Sequence, residues 1–121
     1  MAGDTRCEIV SLFVGTTATI RGTRMFARVN RWSSLKPEAI EDFRTQTMPS
    51  AKHLPGILEL LLLFDEDTGR AISISFWESR EAMLASEPTA RQMRDQDLQT
   101  GLASEAPLVE RYEVVVRESA P

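Results

Sequence analysis

Few side chains in this 121-residue chain are suited to moving a proton or holding a developing negative charge. His53 is the single histidine. Imidazole is the side chain whose ordinary pKa lies nearest neutrality, so His53 is the natural candidate for a general base. It sits beside the Leu54-Pro55-Gly56 break, where the other reading is a helix-end histidine favoured by the helix dipole. Asn30 and Arg28 alternate with Phe26 and Trp32 along one face of a β-prone run. Under helices, Asn30 becomes a buried amide that needs partners and could orient a ligand carbonyl or phenol. Arg28 becomes a mid-strand charge that must be paired or face a cavity. It could hold an enolate or carboxylate, or form an edge ion pair with a glutamate such as Glu59. Trp32, Phe43, Met48, Trp77 and Met83 are the candidates for a ligand-binding wall, and all are equally ordinary core residue types.

Other chemistries find less support. Asp65, Glu66 and Asp67 lack the spacing of a cation-binding loop and read as a solvated turn. Cys7 is the single cysteine, which excludes an internal disulfide and any zinc site built on several thiolates. No phosphate-cradling glycine loop, His-Cys cluster or serine triad pattern is visible. We expect neither metal nor cofactor. The net charge of −4 and pI near 5.0 argue against general nucleic-acid or anionic-membrane binding, both of which reward a basic surface. No apolar run approaches the roughly 20 residues of a membrane span. A reducing, cytoplasmic setting is the simplest expectation.

The elements that must position these groups follow from periodicity. Residues 1–24 are rich in Gly, Thr and Ala and are expected to form a poorly packed extension; a regular domain is expected over 25–118. Met25 to Trp32 reads as a strand. A helix is expected over 36–47, with Pro37 in its first turn and Ile40, Phe43 and Thr47 on one stripe; Pro49 should kink or end it, with a further turn running on to His53 as the open alternative. Ile57 to Phe64, almost wholly apolar, reads as a strand buried on both faces. The acidic turn ending at Gly69 joins it to a partner strand, Arg70 to Trp77. A short helix over 78–86 is expected to end at Pro88. A second stretch over 89–100 follows, with a sparse stripe of Ala90, Met93 and Asp97 or Leu98. Leu108 to Arg117 reads as the last strand.

The order β-α-β-β-α-β is the ferredoxin-like pattern of an α+β fold: a four-stranded antiparallel sheet with helices on one face. The strands carry apolar residues on both faces, and no element remains to cover the second. A homodimer is therefore expected.

Val29-Asn30-Arg31-Trp32, Leu54-Pro55-Gly56-Ile57, the acidic hairpin ending at Gly69, and Ser75-Phe76-Trp77-Glu78-Ser79 with Glu81-Ala82 carry a resemblance. Over residues 25–117 the chain resembles the antibiotic biosynthesis monooxygenase-like (ABM) domains of the dimeric α+β barrel superfamily. The haem-degrading branch of that superfamily is matched at Asn30. Its tryptophan and its iron-ligating histidine fall near Ser86 and Gln96 here, and neither matches. The resemblance to the quinone-forming branch implies cofactor-independent oxygenation of aromatic or polyketide-like phenols, which needs a dry pocket, a group to remove a phenolic proton and donors for the resulting anion. The same fold serves non-catalytic ligand-binding or sensing domains and small acid-base isomerases or cyclases, so fold alone does not choose among them.

Overall fold

The computed structural model describes residues 24–121. The expectation for the N-terminal extension falls outside them except at Arg24, which is exposed and pairs with Glu113 at 2.7 Å. Four strands form one antiparallel sheet: β1 (Met25–Trp32), β2 (Ile57–Phe64), β3 (Ala71–Trp77) and β4 (Leu108–Val114), in the order β2-β3-β1-β4. The expected α+β, ferredoxin-like arrangement is the one observed. The first two strands have the expected ends. β4 stops at Val114, three residues earlier than its alternating pattern suggests.

Cross-strand register decides which face each side chain occupies. Arg28 lies opposite Ser75, Asn30 opposite Ser73, and Trp32 opposite Ala71. This is the covered side, and the serines make it polar at its centre. Ile72, Ile74 and Phe76 pair with Arg31, Val29 and Ala27 on the other side. There Leu61, Leu63, Leu108 and Tyr112 are 38%, 50%, 60% and 50% exposed. The hydroxyls thus face the helices while an apolar row faces out. The covered side keeps apolar residues at either end, Trp32, Ala71 and Leu62 at one and Phe26 and Trp77 at the other, so both faces of the sheet carry apolar side chains.

The first helical region runs without a break from Glu38 to Ala51, as α1 (Glu38–Asp42), a π-helical turn (Phe43–Thr47) and α2 (Met48–Ala51). Pro49 was expected to kink or end the helix. Instead it sits in the first turn of α2. A proline ring clashes with the carbonyl four residues back, here that of Thr45. Widening the preceding turn to i→i+5 bonding moves that carbonyl aside, so the helix passes through.

Gly56 has φ +82°. A Cβ there would stand 2.5 Å from Ala82 Cβ, so the turn into β2 is closed against α3 (Arg80–Ala85) in a way no other residue permits. Ser79 caps α3 through its side-chain oxygen, which accepts from the Ala82 N–H at 3.0 Å. Pro88 does not simply stop the short helix. It lies in the first turn of the next one, α4 (Glu87–Gln99), where a missing N–H costs nothing.

Two clusters make the core. Trp32, Leu35, Ala39, Ala71 and Ala103 pack at one end, with Leu62 and Leu98 against them. Phe26, Trp77 and Met83 pack at the other. Between them lies a cavity.

Candidate functional site

The cavity has a volume of about 80 Å³ and lies between the helix-facing side of the sheet and the two helical regions. Its floor is Arg28, Asn30 and Trp32 of β1, with Leu60 and Leu62 of β2 and Ser73, Ser75 and Trp77 of β3. Its walls are Ala39, Asp42, Phe43 and Thr47 from the first helical region and Ala90, Met93, Arg94 and Asp97 from α4. The α4 set falls at i, i+3, i+4 and i+7, one complete stripe of a helix. The space is on the scale of a small single-ring ligand.

Of the residues singled out in the sequence, Asn30, Arg28, Trp32, Phe43 and Trp77 are brought together on this lining. His53, Met48 and Met83 are not among it. His53 is exposed in the turn beyond α2. Met48 is 36% exposed, because the π-helical turn and Pro49 carry it to the outer side of the helix. Met83 is 1% exposed and packs with Phe26 and Trp77 as plain core.

Asn30 Nδ2 donates to Ser73 Oγ at 2.9 Å, and its Oδ1 is buried without a partner. An orphaned acceptor on a cavity floor costs free energy until something donates to it. Trp77 is fully buried, and its Nε1 donates to Ser75 Oγ at 2.8 Å, so the indole is fixed in place.

Arg28 is 3% exposed and its guanidinium is largely used up. Nη1 donates to Met83 O at 3.1 Å and Glu87 Oε2 at 2.9 Å, and Nη2 to Ser86 Oγ at 2.9 Å. It also stacks over Trp77 at 5.2 Å. Its ion-pair partner is Glu87, not Glu59, since α4 begins directly over the middle of β1. Burial pulls the Arg28 pKa below its ordinary value, against the opposing charge of Glu87. Glu87 is a hub, its carboxylate also meeting Arg111 at 2.9 Å and Arg94 at 3.8 Å. Burial pushes the Glu87 carboxyl up. The hydrogen bond from Arg111 and the charge of Arg28 outweigh that and leave it below its usual value.

Asp97 is the lining group whose protonation is most displaced. Burial, reinforced by the nearby Asp42 carboxylate, pushes it from 3.8 up to about 6. A carboxyl poised there exchanges a proton near neutrality, which is what acid-base work requires. Sequence reasoning placed Asp97 only on a sparse stripe, and Arg94 was not singled out. The i, i+3, i+4, i+7 spacing of Ala90, Met93, Arg94 and Asp97 was the signal that could have found both.

Among the described residues no group of three or more His, Cys, Asp or Glu could hold a metal ion, and no helix is long and apolar enough to cross a membrane.

No family model matches the chain. Among curated proteins it is 33% identical over 75 residues to the uncharacterised proteins Rv2557 and MT2634 of Mycobacterium tuberculosis. That match takes in 62% of this chain, which spans about a third (33%) of the length of those relatives. Among solved structures, a candidate antibiotic biosynthesis monooxygenase of Bordetella bronchiseptica superposes with a TM-score of 0.58 at 16% identity, covering 77% of this chain and 99% of that one. The haem-degrader MhuD of Mycobacterium tuberculosis, with two haems in its active site, gives 0.60 at 20% identity, covering 78% and 99%. NE2512 of Nitrosomonas europaea, of unknown function, gives 0.62 at 18% identity, covering 84% and 99%. At these identities the likeness is one of fold, and the fold is that of the ABM-like proteins. Haem does not fit the cavity described here: the lining offers no histidine as an axial ligand, and the space is far smaller than a tetrapyrrole.

Proposed function

We propose that this domain, built on the fold of the ABM-like proteins, binds a small single-ring phenol in the cavity and oxygenates it without a cofactor. The observation that carries the reading is Asp97, a carboxyl inside the cavity wall with its pKa held up near 6. In this reading Asp97 takes the acid-base role that the chemistry of His53 first suggested. Asn30 Oδ1 accepts a hydrogen bond from the substrate hydroxyl and orients it. Trp32, Phe43 and Trp77 flank the ring, while Arg28 holds the floor together through Glu87 and Ser86. The deprotonated phenol then reacts with O2. A ring carbon para to the hydroxyl loses its hydrogen and gains oxygen, giving a quinone. The second oxygen atom leaves as water with the two hydrogens, so one O2 is consumed per quinone formed.

Oxygen uptake by the chelator-treated protein, measured over a panel of single-ring phenols alongside quinone absorbance, tests the reading. Uptake matched one to one by quinone is the expected result. Binding of the same phenols with no uptake above the buffer rate would move the protein to the other reading, a ligand-binding domain without turnover. The mostly apolar lining favours that alternative, since binding alone needs few polar groups.

We also propose that the active form is a homodimer joined through the outward apolar row of Leu61, Leu63, Leu108 and Tyr112. Large apolar side chains exposed on both edge strands of one sheet face are rarely left in water, and a two-fold pairing is the commonest way to cover them. Sedimentation at micromolar concentration should give twice the chain mass of 13.6 kDa. A Leu63→Glu variant should sediment as a single chain. A wild-type protein that sediments as one chain would refute the dimer.

A further inference from the structure

Arg94 is short of an anion. Its side chain is 12% exposed, and its nearest carboxylate oxygen is Glu87 Oε1 at 3.8 Å, too far for a hydrogen bond. That carboxylate is already occupied, with Arg28 and Arg111 on it at 2.9 Å. No hydrogen bond from the Arg94 guanidinium is made among the described residues, and Nη1 is buried with no partner at all. Three guanidinium groups therefore share one carboxylate, and Arg94 is the one left over. Burial pulls its pKa down, with Glu87 opposing and Arg28 and Arg111 adding to the fall. A guanidinium carries five N–H donors and does not lose its charge in proteins, so it cannot escape the deficit by deprotonating. It lines the cavity, across from the orphaned Asn30 Oδ1 on the sheet.

We infer that the cavity's ligand carries a carboxylate that Arg94 anchors, together with a hydroxyl that donates to Asn30 Oδ1. The ligand class is thus a small hydroxy-carboxylic acid, and with the aromatic lining, a phenolic acid. The inference rests on the reading of the cavity as the ligand site and narrows its substrate. A charge-assisted bond to Arg94 satisfies a buried donor that no group among the described residues reaches, and such bonds are about twice as strong as neutral ones. The same pairing rejects neutral isosteres, because their binding leaves Arg94 buried and unpaired.

The test compares 3-hydroxybenzoate with 3-hydroxybenzyl alcohol by calorimetric titration of the full chain at neutral pH. The carboxylate should bind about tenfold or more tightly than the alcohol. Arg94→Gln should bring the ratio of the two affinities close to one, and Arg94→Lys should retain part of the preference. The ligand-free Arg94→Gln protein should melt no lower than wild type, since the substitution removes a poorly paired buried charge. The wild-type preference is itself decisive if the variant fails to fold. Equal binding of both ligands, or an Arg94→Gln protein that keeps the preference, overturns the inference. If the alcohol binds and the carboxylate does not, the anchor fails while the cavity reading stands. If neither these ligands nor unsubstituted phenol bind at millimolar concentration, both fail.

Discussion

Glu87→Gln should lower the melting temperature by on the order of 10–20 °C. The substitution keeps the shape of the side chain and removes its charge. Glu87 Oε2 accepts from Arg28 Nη1 and Arg111 Nε, both at 2.9 Å, and Oε1 faces Arg111 Nη2 at 2.9 Å. The Arg28 side chain is 4% exposed, so without Glu87 its guanidinium stays buried with only Met83 O and Ser86 Oγ, both neutral. Breaking a buried pair by removing one partner costs about 3–5 kcal/mol, and a domain of this size loses roughly 4 °C per kcal/mol. The folded-state pKa of Glu87 is depressed, so its stabilisation is present above the unfolded carboxyl range. It is lost as pH falls through the folded value. The difference between wild type and variant should accordingly narrow in acid. Adding Arg28→Met should recover part of the loss, and the double-mutant cycle gives the coupling. A melting temperature within two or three degrees of wild type, about half a kcal/mol, would show that the hub is not what holds α4 to the sheet.

Asp97→Asn should act in opposite directions on stability and turnover. Its folded-state pKa is raised to about 6 from 3.8. Between those values the folded protein holds a proton that the unfolded chain has released, so stability falls as pH rises from about 4 to 6 and stays low above. The asparagine variant escapes this loss. It should be more stable than wild type at pH 8 by on the order of 1 kcal/mol, after discounting for the partial solvent exposure of the group, and no more stable near pH 4. Turnover of the phenolic substrate should drop by roughly a hundred- to ten-thousandfold, the range for a lost acid-base group. The wild-type rate should rise with pH through about 6, as the carboxylate form becomes available. A variant that keeps wild-type turnover would remove Asp97 from the reaction, and one not stabilised at high pH would show that its carboxyl is not strained by burial.

The framework was legible in the sequence because its signals are local. β1 and β2 were readable from alternation and from the Leu54-Pro55-Gly56 and Asp65 to Gly69 breaks, and these strands have the observed ends. The face shared by Phe26, Arg28, Asn30 and Trp32 was legible for the same reason, since side-chain direction in a strand follows from parity alone. The partner of Arg28 was not, because choosing Glu87 over Glu59 needs the docking of α4 on β1, a tertiary fact. Arg94 and Asp97 were obscured by their helix, whose charged residues on every side resemble a solvated face. The π-helical turn was also beyond reach: Pro49 predicts a disturbance, and packing decides whether the chain ends, bends or widens there.

That widened turn sets the angular phase of everything beyond it. Each residue of a regular helix advances about 100° around the axis, so Ala39, Phe43, Thr47 and Ala51, four residues apart, would drift about 40° per step. By the last of them the side chain would have swung a third of the way round. A π-helical turn advances less per residue and cancels most of that drift, which is why all four line one cavity. The wide turn therefore absorbs one residue more than a regular helix would hold over the same length. Deleting one residue within Phe43–Thr47 should let that stretch close into a regular helix and still leave Ala51 on the cavity side, because the shortened spacing comes to about three whole turns.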